Sequence, residues 1–188
     1  PFVDLAYEGR GDGLEADGAG LRTLIDAVPE VVIAASCSKN MGLYRERTGM
    51  AIFVCASTRA AQATDSQAKS AARRVYSMPP AHGAIIAGRI LGDVALRNEW
   101  QQELEAMCQR INMLRLSFKD KLELATGRDF GFIAREKGMF SFLGLSKEQA
   151  QQVRAERSLY MLDSSRINVA SLNASNIDRV VAAVASVL

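Results

Sequence analysis

Lys39 is the residue whose setting points most directly to chemistry. It closes the polar run Ser36-Cys37-Ser38-Lys39, which follows the small and β-branched apolar segment Val31-Val-Ile-Ala-Ala35, and Arg47 comes eight positions later. A short continuous run of such apolar residues predicts a strand buried in a parallel sheet. Open α/β sheets carry their ligand sites beyond the carboxyl ends of those strands, where the polar run falls. An amine beside hydroxyls, with a guanidinium close in sequence, is a candidate reactive amine next to an anion site. Such an amine attacks only when neutral, and burial near other cations favours that form. A guanidinium grips phosphate with a planar fork of two parallel hydrogen bonds. Taken alone, the window also accommodates a solvated loop with two cations.

Other candidates are spread along the chain. Asp4 and Tyr7 close an opening segment, Pro1 to Tyr7, with strand-like alternation. A strand-end aspartate serves a site or caps a turn. Arg73 and Ser77 sit near a helix end, where Arg73-Arg74 also suits a solvated, dipole-paired terminus. Phe140 and Arg166 lie in apolar, strand-like surroundings near the end of the chain, where Arg166 suits either a buried anion site or a strand surface. His82, the single histidine, falls in a proline-rich stretch and reads as a loop residue without a catalytic part.

The elements that must position these residues alternate strand and helix. Gly9 to Gly13 is a turn-rich loop. A helix over Leu21–Ala27 stops before Pro29, the Val31 strand follows, and a second strand spans Gly49–Ala56, with Cys55 as packing. This order suits the later part of a mostly parallel sheet. Small residues predict a helix over Ala60–Ala72, ended by Pro79-Pro80. After a short helix around Ile85 to Leu91, apolar residues from Leu96 to Leu122 recur at three- and four-residue steps, predicting one long amphipathic helix from Ala95 to about Ala125. Strands are expected at Gly138–Gly144, Leu159–Leu162 and Ile167–Ala170. Ser146-Lys-Glu-Gln149 is a capping sequence for a helix, and a last helix runs from Ala174 or Ser175 to Leu188.

Composition narrows the classes of function. Hydrophobic residues make up 48% and charged residues 23%, ordinary for a soluble globular chain. A net charge of +2 with no long run of like charges argues against a nucleic-acid or acidic-membrane partner. The three cysteines, Cys37, Cys55 and Cys108, show no metal-ligand spacing, so no metal is expected and reduced thiols in the cytoplasm are. No apolar stretch reaches the length of a membrane span, and no signal segment opens the chain. The abrupt start at Pro1, without methionine, suggests a chain cut from something longer.

The window Ser36-x-Ser38-Lys39-x-x-Gly42-Leu43-Tyr44-x-x-Arg47-x-Gly49 resembles the lysine segment of fold-type I pyridoxal-phosphate aminotransferases, in the aromatic and aspartate branch. The resemblance continues through Asp4-x-Ala6-Tyr7, Arg73-x-x-Tyr76-Ser77-x-Pro79-Pro80, Gly138-Met-Phe-Ser-Phe142 and Ser165-Arg166-x-Asn168-Val-Ala170. It implies that Lys39 is the catalytic, Schiff-base lysine of a pyridoxal phosphate cofactor. Ser36 and Arg47 would hold the cofactor phosphate, with Ser77 touching the phosphate of a partner subunit. Asp4 would pair with the pyridine nitrogen, keeping it protonated and the ring an electron sink, and Tyr7 would donate to the ring's phenolic oxygen. Arg166 would bind the substrate α-carboxylate, Phe140 would edge the site, and Arg73 would reach a partner's site to pair with a distal carboxylate. Glu8, Arg10 and Ser165 depart from the glutamine, aromatic and glycine usual there.

The resemblance covers only the later half of such an enzyme. The family's phosphate loop, stacking aromatic and ring-oxygen asparagine belong to earlier sequence, which implies that these residues alone make a poor enzyme. The fold expected is α/β: residues 1–106 the remainder of the large cofactor domain, with a mostly parallel sheet and helices, and residues 107–188 a long linking helix and a small α+β C-terminal domain. The function implied is a homodimeric transaminase with shared active sites, moving amino groups between aromatic or acidic amino acids and 2-oxo acids such as 2-oxoglutarate. A non-catalytic dimerisation module and a lyase or synthase of the same fold type are the alternatives.

Overall fold

A computed structural model describes all 188 residues. They form two compact units, one of Pro1–Gly9 and Gly13–Glu105, the other of Arg10–Asp12 and Ala106–Leu188. No helix is long and apolar enough to cross a membrane.

The first unit is built on a three-stranded sheet in the order β1 (Phe2–Leu5), β2 (Val31–Ser36), β3 (Gly49–Val54). β1 pairs parallel with β2, Asp4 opposite Ala34. Between them lie α1 (Leu14–Asp17) and α2 (Ala19–Ala27), the crossover that a parallel pair requires. Val31 and Ile33 are buried, whereas Phe2, Val32 and Phe53, aligned across the strands on the other face, are exposed. β3 runs antiparallel to β2. The expected α/β fold therefore carries one reversed strand, because Cys37–Thr48 contains no helix to carry the chain back to the other end.

Gly49 shows how tight that return is. It pairs with Ser36, and a Cβ at Gly49 would overlap the carbonyl oxygen of Ala35. α3 (Thr58–Tyr76) follows, capped by the Ser57 hydroxyl accepting from the Ala60 amide at 3.2 Å, and packs on β3. α4 (His82–Gly92) comes next, so His82 opens a helix and is no loop residue. Its Nδ1 lies 2.7 Å from Glu46 Oε2, a short-range pairing across sequence-distant residues that no local pattern encodes. The long helix arrives as one piece, α5 (Val94–Thr126), and Gly127 ends it at a φ of +68°.

In the second unit the residues of α5 from Ile111 to Leu122 join Ile133, Val153, Val169 and the helix α8 (Ile177–Ala185) in one apolar core. Around it lie α6 (Gly131–Arg135), β4 (Phe140–Phe142), α7 (Lys147–Arg157) and β5 (Arg166–Asn168), with a short 3-10 turn at Val169–Ser171. α7 begins with the foreseen capping box. The Ser146 hydroxyl accepts from the Gln149 amide at 3.2 Å, and the Gln149 side chain accepts from the Ser146 amide at 2.8 Å. Leu159–Leu162 is not a strand: β5 pairs only with β4, so that apolar run has no ladder to join. The strand expected over Ile167–Ala170 is likewise shorter and shifted to Arg166–Asn168.

Gly49→Ala in the full-length protein is expected to cost about 1–3 kcal/mol by forcing β2 and β3 apart, read from the urea unfolding midpoint. Wild-type stability would mean that the strands can separate there at no cost.

Candidate active site

Because β1 and β2 are parallel, their carboxyl ends share one edge, and the antiparallel β3 begins at that same edge. Tyr7 therefore lies in the segment that leaves β1 at that edge, and Lys39 and Arg47 in the single connection from β2 to β3 that starts and ends there. Side chains alternate along a strand, so Asp4 and Ser36 project from the same face of the sheet as Val32.

The Lys39 ammonium stands over the Tyr7 ring, with Nζ 4.8 Å from its centroid. The loop that carries it is held by its own backbone. The Cys37 amide donates to Thr48 O at 3.0 Å, and Met41 and Leu43 donate to Cys37 O at 3.3 and 3.4 Å. Ser36 Oγ accepts from the Ser38 amide at 3.1 Å. The Trp100 indole donates to Asn40 O at 2.8 Å, pinning the residue after the lysine, while the buried Asn40 Oδ1 has no partner. Trp100 reads in sequence as one more apolar residue of a helical stripe, and no signal sixty positions from Asn40 reveals its part.

Arg47 is exposed, has a φ of +52°, and donates to Tyr44 O at 3.1 Å. Glycine at position 83 lets α4 approach this segment, since a Cβ there would overlap Thr48 Oγ1. Arg73 lies exposed in the last turn of α3, and its carbonyl accepts from the Ser77 amide at 3.1 Å. Ser77 ends that helix at a φ of +61°. One thiol and one carboxyl of the first unit are perturbed. Burial pushes the Cys37 thiol above its ordinary value. Burial, and then Asp17, push the Glu8 carboxyl up as well, against the opposing Arg22. Glu8 is thereby moved toward the neutral form, closer to the uncharged glutamine that the resemblance places there.

In the second unit, Arg166 on β5 lies over the Phe140 ring of β4, with Cζ 4.6 Å from the centroid. Both border a groove of about 630 Å³ whose walls include Leu159, Met161, Leu172 and Val180. Arg154 shapes one side by donating to Met161 O at 2.8 Å and pairing with Asp163 at 2.9 Å. That bond holds the Asp163 carboxyl below its usual range. Ser165 stands at a φ of +61°, with its amide donating to Leu162 O at 2.8 Å. Glycine reaches this left-handed conformation without strain, so the residue that departs from the expected pattern keeps the glycine-like turn.

The chain matches the family Aminotransferase class I and II over residues 1–184 and belongs to it. It is 45% identical to an aromatic-amino-acid aminotransferase of Paracoccus denitrificans, across 94% of this chain and 45% of that protein. It is 44% identical to an aspartate aminotransferase of Escherichia coli strain K12, across 100% of this chain and 48% of that protein. Among solved structures, the aromatic-amino-acid aminotransferase of Burkholderia pseudomallei, described as covalently bound to pyridoxal phosphate, superposes with a TM-score of 0.96 at 40% identity, covering 100% of this chain and 47% of that one. The chain thus spans a little under half the length of these relatives. The fold is that of the pyridoxal-phosphate aminotransferases.

The raised Cys37 thiol makes a chemical prediction. Its thiolate forms at higher pH than that of an unperturbed cysteine, so iodoacetamide should label it slowly at pH 7 and faster as pH climbs. Urea should speed the labelling at neutral pH. Peptide mapping reads the rates, and labelling at pH 7 as fast as in the unfolded chain would contradict the burial.

Proposed function

We propose that this chain is the part of a transaminase that carries the reactive lysine and the substrate-carboxylate arginine, moving amino groups between aromatic or acidic amino acids and 2-oxo acids such as 2-oxoglutarate. The observation that carries the proposal is the placing of Lys39 over Tyr7 at the shared edge of β1 and β2. The donor set there fits pyridoxal phosphate: an amine for an aldehyde, a carboxylate for a ring nitrogen, a phenol for a ring oxygen, and hydroxyl and guanidinium groups for a phosphate. When bound, that cofactor supplies an electron sink for the substrate α carbon.

The roles of the residues follow from their chemistry. Asp4 holds the proton on the pyridine nitrogen, Tyr7 donates to the ring oxygen, and Ser36 and Arg47 bind the phosphate. Lys39 would hold the cofactor through its amine and carry the proton between the substrate α carbon and the cofactor carbon. Arg166, backed by Phe140, binds the α-carboxylate that every substrate shares. Residues 1–106 serve as the cofactor-domain portion and 107–188 as the linking helix and small domain. A homodimer accounts for Arg73 and Ser77, which would serve the partner's distal carboxylate and phosphate sites. The three free cysteines fit a cytoplasmic location.

Lys39 offers the direct test. Borohydride treatment of the full-length protein with pyridoxal phosphate should fix the cofactor on the Lys39 peptide and abolish transamination, and Lys39→Ala should prevent the fixing and by itself abolish transamination. Modification scattered over surface lysines, with activity kept by Lys39→Ala, would show the assignment to be wrong.

Substrate range tests Arg73. Replacing it with leucine in the full-length protein removes a charge-assisted pair worth about 1.5–3 kcal/mol. Dicarboxylic substrates should lose roughly tenfold or more in kcat/KM, and phenylalanine far less. Equal losses in steady-state kinetics on aspartate and phenylalanine would make Arg73 structural.

A further inference from the structure

We infer that Arg115 is a positioning residue for Arg166, fixing the strand on which the guanidinium of Arg166 rests; the inference depends on the carboxylate-binding role of Arg166 proposed above. Arg115 lies on α5 with only 2% of its surface exposed, yet none of the roles assigned so far uses it. Its two terminal nitrogens carry four hydrogens, and each has a target. Nη1 donates to Ile133 O at 3.1 Å and faces Glu136 Oε2 at 3.4 Å. Nη2 donates to Gly138 O at 2.6 Å and to Phe140 O at 2.9 Å. Only Nε is left without a partner.

The last of these targets lies on the open edge of β4, and the others lie in α6 and the segment that leads into that strand. The Leu143 amide donates to Ser165 O, and the Val169 amide donates to Met139 O. The odd-numbered residues of β4 therefore face β5, and Phe140 and Phe142 turn their backbone groups outward. No third strand covers that edge. Arg115 takes the Phe140 carbonyl there, and Glu136 accepts from the Phe142 amide at 3.3 Å and from the Ser141 hydroxyl. An arginine and a glutamate thus replace the missing ladder. Phe142 pairs directly with Arg166, and Phe140 carries its guanidinium at 4.6 Å. A shift of β4 moves both supports of Arg166 together.

Lysine cannot substitute. Its ammonium is a single point, unable to reach carbonyls on two sides as a fork does. Burial lowers the Arg115 pKa from its ordinary value while Glu136 opposes that shift, as expected for a charge retained inside by its partners.

The test uses the full-length protein loaded with pyridoxal phosphate, 3-phenylpropionate as a carboxylate probe, and steady-state kinetics on phenylalanine. Arg166→Ala sets the reference. Arg115→Lys is expected to weaken the probe and raise KM by about tenfold, and Glu136→Gln by about threefold, with kcat changed much less. In the Arg166→Ala background either change should add less than about twofold, because its effect passes through Arg166. Should Arg115→Lys fail to fold, Glu136→Gln decides by the same criterion. A full additional loss in the Arg166→Ala background would reduce Arg115 to general stability and overturn the inference. So would an unchanged KM in Glu136→Gln and Arg115→Lys where Arg166→Ala raises it. An Arg166→Ala enzyme with undiminished probe affinity would instead remove the carboxylate role of Arg166, and the inference with it.

Discussion

Parallel pairing of β1 with β2 is the constraint on which the first unit's site depends. Two strands that run the same way end at the same edge, so the residues after each are delivered side by side whatever their distance in sequence. The pairing is fixed in register by burial: Val31 and Ile33 are almost wholly covered, and a slip by one residue would put them in solvent. The same slip of β2 would turn Ser36 to the face opposite Asp4. Hydrophobic burial on one side of the sheet thereby specifies where polar groups stand on the other. The antiparallel return of β3 adds Arg47 to that edge without a further crossover, at the expense of a glycine where the strands come closest.

The second unit solves a different problem. Its sheet has only two strands, β4 and β5, and such a ribbon is barely stable unaided. Two devices hold it: the apolar core beneath, drawn from α5, α7 and α8, and the buried Arg115 along one edge. A buried cation is costly unless its donors are met, and here three carbonyls and a carboxylate meet all but the Nε hydrogen. The polar cluster is thus as much a part of the interior as the leucines around it.

Features of the sequence that depend on local pattern were legible, and those that depend on distant partners were not. The β2 strand over Val31–Ser36, the unbroken helix from Val94 to Thr126 and the Ser146–Gln149 cap all follow from residue type and spacing. The Lys39 window carried enough specific residues to indicate the family before any geometry. By contrast, the direction of β3 is decided by the absence of a helix in Cys37–Thr48, which a strand-like pattern does not report. Leu159–Leu162 is as apolar as many strands and lacks only a neighbour to pair with. The short helix α6 has too few residues to display a period. Trp100 with Asn40, and His82 with Glu46, pair across long stretches of chain, and each partner alone looks ordinary.

Ser165 gives the loop before Arg166 a property that its contacts do not convey. A side chain in the left-handed region carries a penalty of about 1–2 kcal/mol, which a glycine there avoids. That energy is released whenever the turn opens, so the free-energy gap between closed and open forms is narrowed by the same amount. About 1.4 kcal/mol corresponds to a tenfold change in population. A closed turn carrying serine therefore visits its open form several times more often than one carrying glycine. The Ser165 amide, whose hydrogen bond to Leu162 O closes the turn, is the reporter of that breathing, through the rate at which it exchanges its proton with solvent.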